Sequence, residues 1–413
     1  MDPFSYLFSL ERFGIKFGLE NISTLVARLG HPERAFRSVH VAGTNGKGSV
    51  VAMVDAALRA AGHRSARYTS PHLVDLTERF SIDGRPVDRG QLAAVVSEIR
   101  DTIERLRAEG ALEVQPTFFE VTTAAAFELF RRAAVDVAVL EVGLGGRLDA
   151  TNVVRPVATA ITSIDFDHER FLGYTLKEIA GEKAGILKPG VPVVIGQLHP
   201  EARAAINDIA GRVGAPVIEA HSGDVGDLTV GLRGAHQRSN AAVAVRLLRV
   251  ADAGGLAVPR AAVAAGLANP QWPGRLDVRQ LPDGRELLLD AAHNPAGAAA
   301  LASYLKSACA LPPLVFAAMR DKDAGAMLRA LLPAVGLAVF TRASNPRSAD
   351  PDALAAQARA IAPSLPVTAE PSLGDALAAA WRAAPRIVVA GSIFLLGDVI
   401  RFEASSKDAE VQS

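Results

Sequence analysis

Short apolar, β-branched runs alternate with longer stretches of helical spacing along most of this chain. The runs Ser38–Ala42, Ala66–Thr69, Val135–Val142, Val157–Ile164 and Val191–Ile195 predict buried strands. Ser49–Ala61, Gln91–Glu109 and Glu120–Ala134 predict the helices between them. Such alternation builds right-handed βαβ units and a mostly parallel sheet, with ligands at the carboxyl ends of the strands. An alanine-rich helical region then breaks at Asn269-Pro270-Gln271-Trp272-Pro273-Gly274. Its prolines lack an amide donor and restrict the residues before them, which predicts a linker. A second strand–helix series follows, with strands expected at Glu286–Leu289, Leu314–Ala318, Ala338–Thr341 and Arg386–Ala390. The expected fold class is α/β: a P-loop-type, mostly parallel sheet domain over 1–270, a linker at 271–276, a smaller Rossmann-like α/β domain over 277–405 and a frayed polar tail at 406–413.

Composition narrows the function. The 413 residues are 49% hydrophobic, enough for more than one large core. Basic and acidic residues balance at 44 each, so neither nucleic acid nor an anionic membrane is expected as a partner. The single cysteine, Cys309, excludes an internal disulfide and a cysteine zinc cluster, and suits a reducing compartment. No apolar run reaches the ~18 residues of a membrane helix, and Met1–Ser5 has no basic leader. The expectation is a soluble, cytoplasmic, monomeric enzyme.

The chemistry starts at Gly43-Thr44-Asn45-Gly46-Lys47-Gly48-Ser49, between a strand and a helix. Glycines let amides turn toward an anion, and a helix start adds partial positive charge. Lys47 is placed to reach terminal phosphates, and the hydroxyl of Ser49 to serve a magnesium ion. The loop departs from the common phosphate loop: Val41 stands where the first glycine would be, and Gly48 separates Lys47 from Ser49. Glu141 closes an apolar run, the position of a metal-holding acid, and Gly143–Asp149 follows it with glycines and Arg147. The rival expectation is a surface hairpin with a solvated Glu141. Ser70-Pro71 ends the second strand, and His168 follows the strand at Val157–Ile164. Imidazole is not a usual magnesium ligand, so His168 reads equally as a surface or capping residue.

Taken in order, these motifs make the chain resemble the folylpolyglutamate synthase family, often bifunctional as dihydrofolate synthase, within the Mur ligase superfamily. The matching segments are Gly43–Ser49, Ser70-Pro71-His72-Leu73 with Glu78-Arg79, Thr117-Phe118-Phe119-Glu120, Glu141–Asn152, Asp167-His168 with Leu172-Gly173, Glu182–Ile186, Asp290–Pro295 and Gly391-Ser392. The resemblance implies an ATP-dependent ligase that adds L-glutamate to dihydropteroate or a reduced folate through an acyl phosphate. It implies that Ser70, Glu141, His168 and a carbamylated Lys183 hold one or two Mg2+ ions, with Lys47, His168 and Lys183 serving catalysis. A free Lys183 ammonium paired with phosphate is the alternative. It also implies ATP contacts from Asn45, Gly46, Lys47, Gly48, Ser49, Asn240, Arg275 and Asp290, although Asn240 reads equally as a helix cap.

Thr117, Phe118, Phe119, Glu120, Arg147 and Leu148, with the region Ile15–Gly18, resemble a pterin-binding surface; the aromatics at a helix start read equally as core. His293, Asn294 and Ser392 are candidates for the incoming glutamate. Closure about the linker is expected to keep water from the acyl phosphate. The rival functions are another Mur-type amino acid ligase and a non-ligase ATPase. Cell-wall ligases carry a nucleotide-sugar domain ahead of the phosphate loop, for which a loop starting at Gly43 leaves no room.

Overall fold

The computed structural model describes residues 2–14, 16–308 and 311–411, so Ile15 and Cys309 lie outside the described residues. The chain divides into two compact units. The first holds Met1–Gly231 and Gln237–Gln271, the second Leu232–His236 and Trp272–Ser413. The chain thus leaves the first unit briefly before the proline-rich stretch.

The first unit is built on an eight-stranded sheet. Its strands are β1 Arg37–Ala42, β2 Ser65–Tyr68, β3 Phe80–Ile82, β4 Arg85–Pro86, β5 Val137–Glu141, β6 Ala158–Ile161, β7 Val193–Ile195 and β8 Val217–Glu219. The order is β4-β3-β2-β5-β1-β6-β7-β8, antiparallel only at β2–β3 and β3–β4. β1 and β5 are almost wholly buried, because helices cover both faces and leave little room for polar side chains. The registers put Tyr68, Phe80 and Leu140 on the same face as Ile161 and Ile195. That face packs on Phe127 and Phe130 towards the β4 edge and on Ile179 and Ile206 towards the β8 edge. The helix Arg260–Ala268 packs on the helix Lys47–Ala60 through Gly266, where a Cβ would meet the Ala57 backbone at 2.4 Å.

The second unit carries a six-stranded sheet. Its strands are β9 Asp277–Gln280, β10 Glu286–Leu289, β11 Pro313–Phe316, β12 Leu337–Phe340, β13 Val367–Ala369 and β14 Arg386–Ala390, ordered β13-β12-β11-β14-β10-β9. Only β9 runs antiparallel. The final helix, Ile393–Val411, takes in most of the stretch expected as a frayed tail. No described helix is long and apolar enough to cross a membrane.

Strand order positions the site. β2, β5, β1 and β6 are consecutive neighbours. Their carboxyl ends deliver Ser70, Glu141, the Gly43–Gly46 loop and Thr162–His168 side by side.

Candidate active site

The phosphate loop is held open by its neighbours. Gly46 caps the helix Lys47–Ala60 in the left-handed region, at φ 85°. A Cβ at Gly43 would lie 2.0 Å from Thr162 Oγ1, and one at Gly46 would lie 2.3 Å from Asn240 Oδ1. Glycine is therefore required at both positions, and the turn leads into a helix start whose first-turn amides can receive an anion. Thr162 Oγ1 donates to Asn45 O at 2.6 Å, and Asn45 N donates to Ser163 Oγ at 2.9 Å. Ser49 and Gly48 are buried in the first helical turn. Asn240 touches the loop from inside the helix Ala235–Ala253, which corrects the reading of Asn240 as an N-cap. That helix starts earlier, at Ala235, and its first turn is the polar run His236–Ser239, where no apolar period marks it.

Lys47 Nζ donates to Gly43 O at 3.0 Å and Thr44 O at 3.2 Å. Lys183 Nζ also donates to Gly43 O, at 3.1 Å, from the buried end of the helix Leu176–Ala184. Burial first, and the charge of Lys47 second, push the Lys183 ammonium down to about 7, against attraction from Asp167, Asp149 and Asp165. Close packing fixes this lysine. A Cβ at Gly146 would meet Lys183 O at 2.8 Å, and one at Gly185 would meet Arg147 Cα at 2.4 Å.

Glu141 is 6% exposed at the end of β5, and its Oε2 accepts from Ser70 N at 3.4 Å. These two expected metal residues are thus joined, which excludes the solvated-hairpin reading. His168 stands at φ 53° ahead of a short helical turn, with its ring 40% exposed and Nε2 3.8 Å from Asp167 Oδ1. Among the described residues no three His, Cys, Asp or Glu side chains form a metal-binding group. Carboxylate and hydroxyl oxygens are nonetheless the hard donors that magnesium takes, so Glu141 and Ser70 fit the ion.

A cavity of about 280 Å3 opens beside these residues. Lys16, Phe17, Ser70-Pro71, Arg79, Thr117, Phe119, Glu120 and Leu148 are among the residues that line it. Thr117 caps the helix Phe118–Arg132 in a capping box with Glu120. Glu120 Oε2 takes Thr117 N at 2.8 Å, Thr117 Oγ1 at 2.9 Å and Asn21 Nδ2 at 3.5 Å. Its Oε1 is buried without a hydrogen-bond partner among the described residues. Phe119 lines the cavity and lies tilted against Tyr68, with ring centroids 5.9 Å apart. Phe118 turns into the core instead, between Phe8 and the Arg79 guanidinium. Arg147, expected on the pterin surface, is not among the lining residues; it is 57% exposed and pairs with Glu182 at 2.8 Å.

Two lining residues with no expected role are Arg79 and Asp149. Arg79 is buried, and its Nε donates to His72 Nδ1 at 2.9 Å. Asp149 Oδ2 accepts from Gly143 N and Leu144 N at 3.0 and 2.9 Å, so it shapes the loop. The spacing Asp149-Ala150-Thr151, an Asx-turn signature, was the available sign.

In the second unit, Asp290 is buried at the end of β10 and accepts from Leu276 N at 2.9 Å and Ala292 N at 3.0 Å. Burial pushes its carboxyl up while nearby Arg275 pulls it down. Asn294 caps the helix Pro295–Ser307, His293 Nδ1 lies 2.8 Å from Ala291 O, and Ser392 Oγ accepts from Phe394 N at 3.2 Å.

A parallel sheet with a phosphate loop, followed by a second α/β unit, is the plan of an ATP-dependent ligase. The family described as Mur ligase, glutamate ligase domain, matches residues 274–393. A Bacillus subtilis dihydrofolate synthase/folylpolyglutamate synthase is 38% identical over 356 residues, 80% of this chain and 82% of the relative. Mycobacterium tuberculosis folylpolyglutamate synthase, solved with ADP and AMPPCP, superposes with a TM-score of 0.88 at 35% identity, over 97% of this chain and 99% of that one. Escherichia coli FolC with DHPP and ADP gives 0.85 at 30% identity, over 98% and 99%. A Yersinia pestis bifunctional enzyme with AMPPNP and a Mn ion gives 0.83 at 30%, over 97% and 98%. The chain belongs to the dihydrofolate synthase/folylpolyglutamate synthase family of Mur-type, ATP-dependent ligases.

Proposed function

We propose that this ligase joins L-glutamate by an amide bond to dihydropteroate and to a reduced folate. The observation that carries the reading is the cavity, which brings Thr117, Phe119 and Glu120 to the same space as Ser70 and Leu148. A flat heterocycle stacks on Phe119, and its N–H edge satisfies the partnerless Glu120 Oε1. The substrate's carboxylate then points along Ser70-Pro71 toward Glu141 and the phosphate loop.

Asn45, Gly46, Gly48 and Ser49 hold the triphosphate, with Asn240 against Gly46. Lys47 leaves the Gly43 and Thr44 carbonyls for phosphate oxygens. In the second unit we assign Arg275 and Asp290 to nucleotide, and His293, Asn294 and Ser392 to glutamate. A substrate carboxylate oxygen attacks the γ-phosphorus, the bond to the β–γ bridging oxygen breaks, and ADP leaves. The glutamate amine attacks the acyl phosphate carbon, loses a proton, and phosphate departs.

Ser70, Glu141, His168 and Lys183 would hold one or two Mg2+ ions, which withdraw charge from phosphate oxygens when bound. Lys183 serves as a ligand only after carbamylation, since an ammonium offers donors alone. Its buried amine, held down to about 7, is about half free base near neutral pH, against almost none for an ordinary lysine, and the free base is the form that adds carbon dioxide.

The test is incubation with MgATP, glutamate and either dihydropteroate or tetrahydrofolate, followed by mass analysis. The expected result is one added glutamyl group per ADP formed. ATP turnover that ignores glutamate, or transfer of glutamate to a nucleotide-linked sugar acid and to neither pterin, overturns the reading.

A further inference from the structure

His40 is fully buried in the middle of β1, with Val39 and Val41 on either side. A polar ring there has a desolvation cost that an apolar residue would not. Its Nε2 lies 2.8 Å from Thr151 Oγ1, across 111 residues of sequence. Thr151 Oγ1 donates to Asp149 Oδ1 at 2.5 Å, and Thr151 N donates to the same oxygen at 3.0 Å. Asp149 Oδ2 takes the amides of Gly143 and Leu144. Burial pushes the Asp149 carboxyl up, but four donors converge on its two oxygens, three of them backbone amides, and they favour the ionised, acceptor-only form.

The tautomer of His40 follows. Thr151 has one hydroxyl proton, and it points at Asp149. His40 must therefore donate from Nε2, leaving Nδ1 a bare lone pair. His40 Nδ1 is indeed buried without a hydrogen-bond partner among the described residues. An orphaned acceptor is more tolerable than the orphaned N–H that the other tautomer would bury. Burial and the charge of Lys188 hold the ring neutral, with its pKa down at about 3.

The hydrogens run one way, from His40 to Thr151 to Asp149, which gathers in the amides of Gly143 and Leu144. Gly143 in turn packs on Phe119: a Cβ there would meet its ring at 2.6 Å. We propose that His40 is a positioning residue for the cavity loop Gly143–Leu148, acting through the Thr151 hydroxyl on Asp149. The kinetic part rests on reading the cavity as the pterin site. The same strand ends in the phosphate loop, so one element sets both walls of the reaction space.

Gln places an N–H donor near the position of Nε2, whereas Leu removes it. The test compares H40L, H40Q, T151V and the H40L/T151V double variant. In H40L and T151V the KM for the pterin substrate should rise about tenfold, the size expected for a lost buried hydrogen bond, with the KM for ATP within about twofold. H40Q should recover most of the loss, and the double variant should be no worse than H40L alone. Independently of any substrate, hydrogen exchange of the peptide bearing Gly143 and Leu144 should speed up in H40L and T151V and stay slow in H40Q. Unchanged exchange in H40L and T151V, or H40Q as fast as H40L, overturns the proposal. If exchange behaves as expected while pterin kinetics do not move, the relay stands and the pterin assignment fails.

Discussion

Lys183 and Lys47 converge on one acceptor, the carbonyl oxygen of Gly43, at 3.1 and 3.0 Å. Two cations on one oxygen repel each other, and that repulsion adds to burial in lowering the Lys183 ammonium. On the proposed function, a triphosphate in the loop would draw Lys47 away from Gly43. The carbamate proposed for Lys183 would turn the second positive charge negative. The apparent conflict thus marks the place where anion and metal chemistry enter.

K47A should lose phosphoryl transfer, with kcat falling roughly a hundredfold or more, since a charge stabilising the transferred group is gone. Lys47 is only half-buried, so the fold should be kept. ADP release and thermal melting are the measurements. Near-normal turnover in a well-folded K47A would remove Lys47 from the reaction.

Lys183 also gives a stability prediction with a definite sign. Its folded pKa, about 7, lies below the ordinary 10.5. Between those values the unfolded chain binds more protons, so raising the pH through the window stabilises the fold; below about 7 the effect is flat. In buffer free of carbon dioxide, wild type should gain stability relative to K183M as pH rises from 7 toward 10. In bicarbonate, native mass should show one carbon dioxide on wild type and none on K183M. Parallel pH profiles of the two proteins would mean that the amine is not desolvated.

Much of this architecture is legible in the sequence because buried parallel strands are continuous apolar runs. Glu286–Leu289 and Arg386–Ala390 fall on β10 and β14 to the residue. Strands that were not legible lie mostly at sheet margins: β4 is an exposed Arg-Pro pair, and β9 reads Asp-Val-Arg-Gln with its side chains half-buried. Half-exposed strands need no apolar run, so none announces them. The glycine motifs were visible because chemistry and sterics both demand glycine. The link from His40 to Thr151 was not, since only the β1–β5 pairing brings those segments together.

Gly185 offers a purely steric test of how Lys183 is held. Its φ is −62°, so alanine carries no backbone strain, yet its Cβ would sit 2.4 Å from Arg147 Cα. Backbone on both sides cannot yield cheaply, and G185A should cost about 1–3 kcal/mol in urea unfolding. Activity should fall further than stability, because the same contact aligns Lys183 with the phosphate loop. An unchanged unfolding midpoint would show that the loop and helix do not interlock.

E120Q separates the cap from the cavity. Oε2 serves Thr117 and Asn21, and the amide oxygen of glutamine takes over that role. The amide nitrogen then replaces Oε1, turning the unpartnered buried acceptor into a donor beside the cavity that Glu120 lines. Stability should change little. A heterocycle that presents N–H groups would meet N–H groups, and leaving them unpaired costs about 1–3 kcal/mol. The KM for the pterin substrate should therefore rise roughly tenfold or more, while the KM for ATP stays within about twofold. Glu120→Ala removes the cap as well, so its loss of stability should exceed that of E120Q by about 1 kcal/mol. Equal pterin KM values for wild type and E120Q would place the heterocycle elsewhere and leave Glu120 a helix cap alone.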